Sequence, residues 1–140
     1  IKLDSTYTFS WNNLGGLYII THRYSEAEPI FKKVISLDSM FANPYKHLGM
    51  AYFKTNRPAE ARKNFLKAIA LNPNYTGAML GMAYTLAAEG KESDALSWVD
   101  KAINKGSTLE QLENDEELIT LRAIPEWKEL MQKYFPEKVK

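Results

Sequence analysis

Two histidines, His22 and His47, are the only side chains in this chain whose ordinary pKa suits proton transfer near neutrality. His22 falls at a turn signal and His47 within an apolar-patterned stretch. Neither has a second histidine or a cysteine at metal-ligand spacing, so both read as solvated side chains. The acidic run at 113–117 lacks the alternating ligands and central glycine of a calcium loop. It reads instead as a helix start, where carboxylates favour the positive end of the helix dipole. No G-x-S-x-G, glycine-rich phosphate loop or H-E-x-x-H occurs, and no serine sits in a context that would activate it. The absence of cysteine removes disulfides, thiolate metal sites and cysteine nucleophiles. The chemistry-bearing residues therefore predict a non-catalytic chain with no metal and no cofactor.

Charge narrows the partners. The net charge is +1, which argues against a whole-molecule attraction to nucleic acid or an anionic membrane. Its distribution is uneven: residues 1–70 hold ten Lys and Arg against five Asp and Glu, and residues 71–140 hold eight against twelve. Lys32, Lys33, Arg62, Lys63 and Lys67 tint one region basic, but a solvated face explains them, since arginine is scarce and the aromatics belong elsewhere. The longest near-apolar stretch, 78–88, is too short and too glycine-interrupted to span a bilayer. A soluble chain, cytoplasmic or periplasmic, is expected, with nothing to decide between the two.

What must position any binding residues is a repeat. Ile1, Ile35, Ile69 and Ile103 stand 34 residues apart, and the same shift aligns Leu3 with Leu37 and Leu71. It also aligns Trp11 with Tyr45 and Met79, Leu14 with Leu48 and Met82, and Gly15 with Gly49 and Ala83. Tyr18, Tyr52 and Leu86 follow, then Ala27, Ala61 and Ala95, and then Phe31, Phe65 and Val99. Fixed self-similarity of this length is the mark of a stacked array.

Each unit reads as two helices. Trp11, Leu14 and Tyr18 recur at three-and-four spacing, as do Tyr45, Leu48 and Tyr52, which draws an apolar stripe on a first helix. Glycine inside such a helix costs about 1 kcal/mol against alanine, so close approach of a second helix is the reason to keep Gly15 and Gly49. Turns are expected at 21–24, 55–58 and 89–92, with Ser25, Pro58 and Ser93 opening second helices. Those helices present Ala27, Phe31 and Val34, then Ala61, Phe65 and Ala68, then Ala95, Val99 and Ala102. One such pair cannot bury its own apolar face, so neighbours must stack.

The pattern resembles the tetratricopeptide repeat, best at Tyr45, Leu48, Gly49, Tyr52, Ala61, Phe65 and Pro73. It is nearly as good at Trp11, Leu14, Gly15, Tyr18, Ala27 and Phe31, and weaker at Met79, Met82, Ala83, Leu86, Ala95 and Val99. The resemblance implies an all-α, right-handed superhelical solenoid of antiparallel helix pairs: three repeat units plus C-terminal capping helices. The expected divisions are 1–7 as the end of a truncated upstream repeat, units at 8–41, 42–75 and 76–109, and capping helices with a tail at 110–140, all in one solenoid domain. Gly106 is placed to stop the last repeat helix, and Ser107 with Glu110 reads as a capping box opening the next. The stretch 109–135 resembles the closing segment after the last repeat of many bacterial tetratricopeptide proteins, and it is expected to cover the face of 95–103.

In this family the first helices line the inner wall of a groove that takes a peptide or helix of another protein. Carried over by position, the wall here comprises Phe9, Asn12, Asn13, Gly16, Ile19 and Ile20, then Asn43, Lys46, His47, Met50, Phe53 and Lys54, with Tyr84 from the third unit. Chaperone-binding members hold a terminal carboxylate with a clamp of Lys, Asn, Asn, Lys and Arg. The aligned residues here are Asn12, Gly16, His47, Gly77 and Gly81, so that clamp is missing. The resemblance therefore implies a protein-interaction scaffold for a protein or peptide partner with apolar or aromatic anchors. Two alternatives stand beside it: an accessory module of a larger multidomain enzyme, and self-association as an end-to-end homodimer through the truncated edge.

Overall fold

The computed structural model describes residues 5–139, and every regular element among them is helical. The chain gathers into two compact units, Ile1–Pro73 and Asn74–Lys140. The first unit holds α1 (Ser5–Ile20), α2 (Tyr24–Leu37), α3 (Ala42–Lys54) and α4 (Pro58–Leu71). Within it α1 packs on α2, α2 on α3 and α3 on α4. The second unit holds α5 (Thr76–Ala88) and α6 (Glu92–Asn104), then α7 (Leu109–Asn114), a 3₁₀ turn at Glu116–Leu118, α8 (Ile119–Arg122) and α9 (Pro125–Tyr134).

The expected pairing stripes form the core. Ala27, Phe31 and Val34, with their counterparts on α4 and α6, are all fully buried. The glycines explain how the partner helices come so close. A Cβ built on Gly15 would lie 2.7 Å from the Phe31 ring, and one on Gly49 would lie 2.7 Å from the Phe65 ring. In the third pair Ala83 faces the smaller Val99 register, and both are fully buried. A methyl group gained on one helix accompanies a ring lost on the other, which is how close-packed interiors conserve volume.

Turn geometry repeats as faithfully as the core. His22 (φ 61°), Asn56 (φ 61°) and Gly90 (φ 79°) all take the left-handed conformation at the same place in their units. The next residue then closes each first helix with a long backbone bond: Arg23 N–H to Tyr18 O at 2.7 Å, Arg57 to Tyr52 at 2.8 Å, Lys91 to Leu86 at 2.8 Å. This is the Schellman ending. Because Arg23, Arg57 and Lys91 also serve as N-caps, the second helices begin at Tyr24, Pro58 and Glu92. Ser25 and Ser93, expected to cap, lie one turn position inside and cap nothing.

Two further boundaries differ from expectation. The helix α1 is already formed at Ser5, whereas α3 and α5 open at Ala42 and Thr76, which correspond to Thr8. Residues 5–7, assigned from sequence to a preceding repeat, thus lie within α1, where Tyr7 meets Trp11 edge-on at 5.9 Å. An aromatic pair four residues apart supports helix there; the rest of that stub, 1–4, lies outside the described residues. The capping box is also one residue later than expected. Thr108 and Gln111 form it reciprocally, because the Ser107 N–H is spent on the Ala102 carbonyl in closing α6.

The closing segment covers more than α6. Leu112, Leu118, Leu121, Trp127 and Met131 are buried; α9 lies on α6, and the 3₁₀ turn lies on α5. Tyr134 donates its hydroxyl to Asp100 of α6, and Arg122 donates to the Leu112 carbonyl at 2.9 Å.

The packing yields a direct test. Gly49→Ala should lower stability by about 1–3 kcal/mol, because the Phe65 ring must move from a filled interior. Gly16→Ala, whose added Cβ meets nothing within 4 Å, should be neutral or stabilising by up to about 1 kcal/mol. Chemical denaturation of both variants reads the contrast, and equal shifts would refute the close-packing account.

Candidate functional site

In the first unit, α1 and α3 bring Asn12, Asn13, Gly16, Leu17, Ile19, Ile20, Asn43 and His47 around one depression of about 450 Å³. Seven of these eight stand among the inner-wall positions carried over from the repeat pattern; Leu17 does not. Nothing in the repeat pattern singles out Leu17, and its 55% exposure beside Ile20 is what marks it. The depression has an apolar rim and a polar floor. Asn12 is 8% exposed and donates from Nδ2 to Asn43 Oδ1 at 3.0 Å, while its own Oδ1 is buried without a partner.

His47 is not the solvated side chain expected. Its ring stacks on Phe31 with centroids 5.1 Å apart and planes 13° apart, and its Nδ1 is buried without a partner. Burial, helped by neighbouring Lys46, pushes its pKa down to about 4, so the ring is neutral at physiological pH. Burial holds the Lys46 ammonium pKa down as well. Two polar atoms thus face the floor with no protein group to satisfy them and no net charge.

The remaining expected wall residues are placed elsewhere. Phe9 is 55% exposed and meets Phe41 edge-on at 5.7 Å. Lys46, Met50 and Phe53 are half-buried on α3 outside the depression, with the Lys54 ammonium 5.8 Å from the Phe53 ring centre. Tyr84, in the second unit, is 9% exposed and donates its hydroxyl to the Asp115 carboxylate. Burial and that carboxylate push the phenol pKa well up. Tyr84 is therefore a core contact beneath the closing segment and not an accessible wall residue. The acidic run at 113–117 does start a helical turn, with Asp115 Oδ1 accepting from Glu117 N–H at 3.1 Å.

A larger depression of about 700 Å³ lies in the second unit, between the starts of α6 and α9. Exposed Lys91, Glu92, Asp94 and Glu126 line it, and it holds no buried unpartnered group. His22 sits on its turn with Nδ1 2.7 Å from the Tyr24 hydroxyl. Among the described residues no group of three or more His, Cys, Asp or Glu could hold a metal ion, and no helix is long and apolar enough to cross a membrane.

Consecutive helix pairs with a ligand-sized depression on their first helices define a helical-repeat protein. Tetratricopeptide-repeat profiles match residues 10–39 and 42–75, which are the first two pairs. Solved structures agree over most of the chain. The first repeat domain of Spaghetti (RPAP3), bound to the HSP90 peptide SRMEEVD, matches with TM-score 0.73 at 22% identity, over 95% of this chain and 97% of that one. The second repeat domain of human RPAP3, in complex with the HSP70 peptide SGPTIEEVD, matches with TM-score 0.69 at 20% identity, over 84% and 92%. A mutant form of MamA matches with TM-score 0.65 at 25% identity, over 73% and 74%. Residues 10–39 and 42–75 are thus tetratricopeptide repeats. No curated protein matches it in sequence.

The buried imidazole gives the site a pH signature. His47 titrates at about 4 in the fold against about 6.5 unfolded, so the unfolded chain takes up that proton first. Its contribution is complete above pH 6.5 and is lost as pH falls towards 4. Melting from pH 7 to pH 4 should cost the parent on the order of 1–3 kcal/mol more than His47→Phe, which keeps a ring on Phe31. Parallel pH profiles for the two proteins would refute this burial.

Proposed function

We propose that the chain is a non-catalytic protein-interaction scaffold that takes a peptide segment of a partner on the first helices of its first unit. The observation that carries the reading is the α1–α3 depression, with exposed Leu17 and Ile20 at its rim and unpartnered Asn12 Oδ1 and His47 Nδ1 at its floor. Leaving a buried polar atom unsatisfied costs about 1–3 kcal/mol, a cost that a bound peptide's own donors would offset. The rim supplies apolar contact area, the floor supplies register, and the peptide backbone offers donors at every residue.

The RPAP3 domains hold peptides ending in EEVD, but their likeness at 20–22% identity speaks for fold. At the positions where chaperone adaptors carry their basic clamp, this chain has Asn12, Gly16, His47, Gly77 and Gly81. Four of these have no charge to offer and the fifth is held neutral. An acidic terminus therefore finds no counter-charge at those positions, and apolar or aromatic anchors are the better fit.

A peptide-display selection against the intact chain, followed by titration of the best binders, tests this. Ile20→Asp should weaken binding about tenfold or more, because a charge replaces the rim's apolar contact. C-terminal amidation should change little, and affinity should fall only modestly between low and physiological salt, where exposed charges are screened beyond roughly 8 Å. Binders that are acidic, steeply salt-dependent and indifferent to Ile20→Asp would overturn the reading.

A further inference from the structure

One carboxylate ties the first helix pair to the second. Glu28 of α2 accepts the Tyr52 hydroxyl of α3 at 3.2 Å and the guanidinium of Arg57, the N-cap of α4, at 2.6 Å. It also accepts the Lys32 ammonium from its own helix at 3.1 Å. The Glu28 side chain is only 18% exposed, and Arg57 lies 4.5 Å over the Tyr52 ring, so acid, cation and phenol close on one another. The hydrogen bond from Arg57 is the main cause that holds the Glu28 carboxyl below the usual carboxylate range. The long reach is selective. Arg23 takes Glu26, three residues on in its own helix, and Glu60 stands at the same spacing from Arg57. Arg57 nevertheless donates to Glu28, 29 residues back.

Glu28 and Phe31 stand three residues apart on α2, so one side of that helix carries both. Against them α3 sets the Tyr52 hydroxyl and the His47 ring, the latter stacked on Phe31 with planes 13° apart. The two contacts differ in kind. Apolar contact is non-directional and tolerates sliding, whereas charge-assisted hydrogen bonds fix direction and distance. An isolated exposed ion pair would fix little, but a mostly covered acid with three donors is a network. The ring stack therefore supplies adhesion, and the Glu28 cluster supplies register.

We propose that Glu28 is a positioning residue for the α1–α3 depression: by fixing the register of α2 on α3 it holds the His47 imidazole over Phe31 and so sets the floor. Glu28 itself does not line the depression. That a peptide occupies the depression rests on the function proposed for it, whereas the seating of its floor by Glu28 stands apart from that reading.

Proton NMR of the His47 ring in the intact chain tests this. A His22→Asn background, matching Asn56 at the corresponding turn, leaves a single imidazole to follow. Charge and position predict opposite signs. Removing a negative charge disfavours an imidazolium, so by charge alone Glu28→Gln lowers the His47 pKa or leaves it unchanged. Loss of register lets water reach the ring, and the pKa should climb from about 4 towards 6.5, by about one pH unit. Lys46, the charged neighbour whose field also acts on the ring, is the same in every variant. Tyr52→Phe, which removes a link to Glu28 and no charge, should move the pKa the same way by less. Glu60→Gln, which removes an acid near Arg57 without touching the cluster, should leave it in place. No rise with Glu28→Gln overturns the inference, and so does an equal rise with Glu60→Gln. If the Gln variant loses the parent circular dichroism, Tyr52→Phe decides by the same sign. A peptide selected against the parent, titrated in parallel, should bind Glu28→Gln about threefold or more weakly. Unchanged peptide affinity beside a raised His47 pKa would count against the peptide reading and uphold the seating of the floor.

Discussion

Everything in this fold hangs on how close two helices can come where a side chain has been left out. At Gly15 and Gly49 the first helix offers bare backbone, and the rings of Phe31 and Phe65 fill the space. Packed helices usually lie 8–10 Å apart depending on the side chains at the contact, and leaving one side chain out here makes room for a ring that seals the interior. The ring in turn becomes the base on which the next unit builds, since Phe31 carries the His47 imidazole on its other side. One contact therefore sets the spacing within a pair and seats the residue that forms the floor of the depression.

The turns make that spacing repeatable. A left-handed residue followed by a basic one ends each first helix and begins the second with no intervening loop. Glycine is free to adopt that conformation and asparagine tolerates it, while His22 does so with its ring held to Tyr24. The basic residue then has two tasks in the first two units: its backbone closes the helix, and its guanidinium covers a tyrosine ring. In the third unit Lys91 faces Leu86, so the backbone task survives and the aromatic one is gone.

The two units treat their inner polar atoms in opposite ways. In the second, the Tyr84 hydroxyl is satisfied by Asp115 from the closing segment, and α5 is buried along most of its length. In the first, Asn12 and His47 keep polar atoms out of water without a partner. Fully satisfied groups specify and rigidify a core, whereas unsatisfied ones are costly. That contrast places the candidate site on α1 and α3 and not on α5.

Much of this was legible in the residues. The 34-residue shift of Ile1, Ile35 and Ile69, the buried stripes from Ala27 to Ala102, and the glycines beneath aromatic partners all follow from periodicity. Stacking demands the same contact at every turn, so the pattern must recur in the sequence. Even the depression was foreshadowed, because the resemblance to the tetratricopeptide repeat carries Asn12, Asn13, Gly16, Asn43 and His47 over to the inner wall by position. Phase alone could not say which side chains would be covered. Tyr84 and Met50 carry the same kind of apolar signal, yet Asp115, far along the chain, buries one and the other stays half-open. His47 looked solvated until Phe31 came beneath it, and Ser107 looked like a cap until its N–H was needed by Ala102. Burial, hydrogen-bond competition and a shifted pKa depend on residues that meet only in three dimensions, so tertiary structure alone decided them.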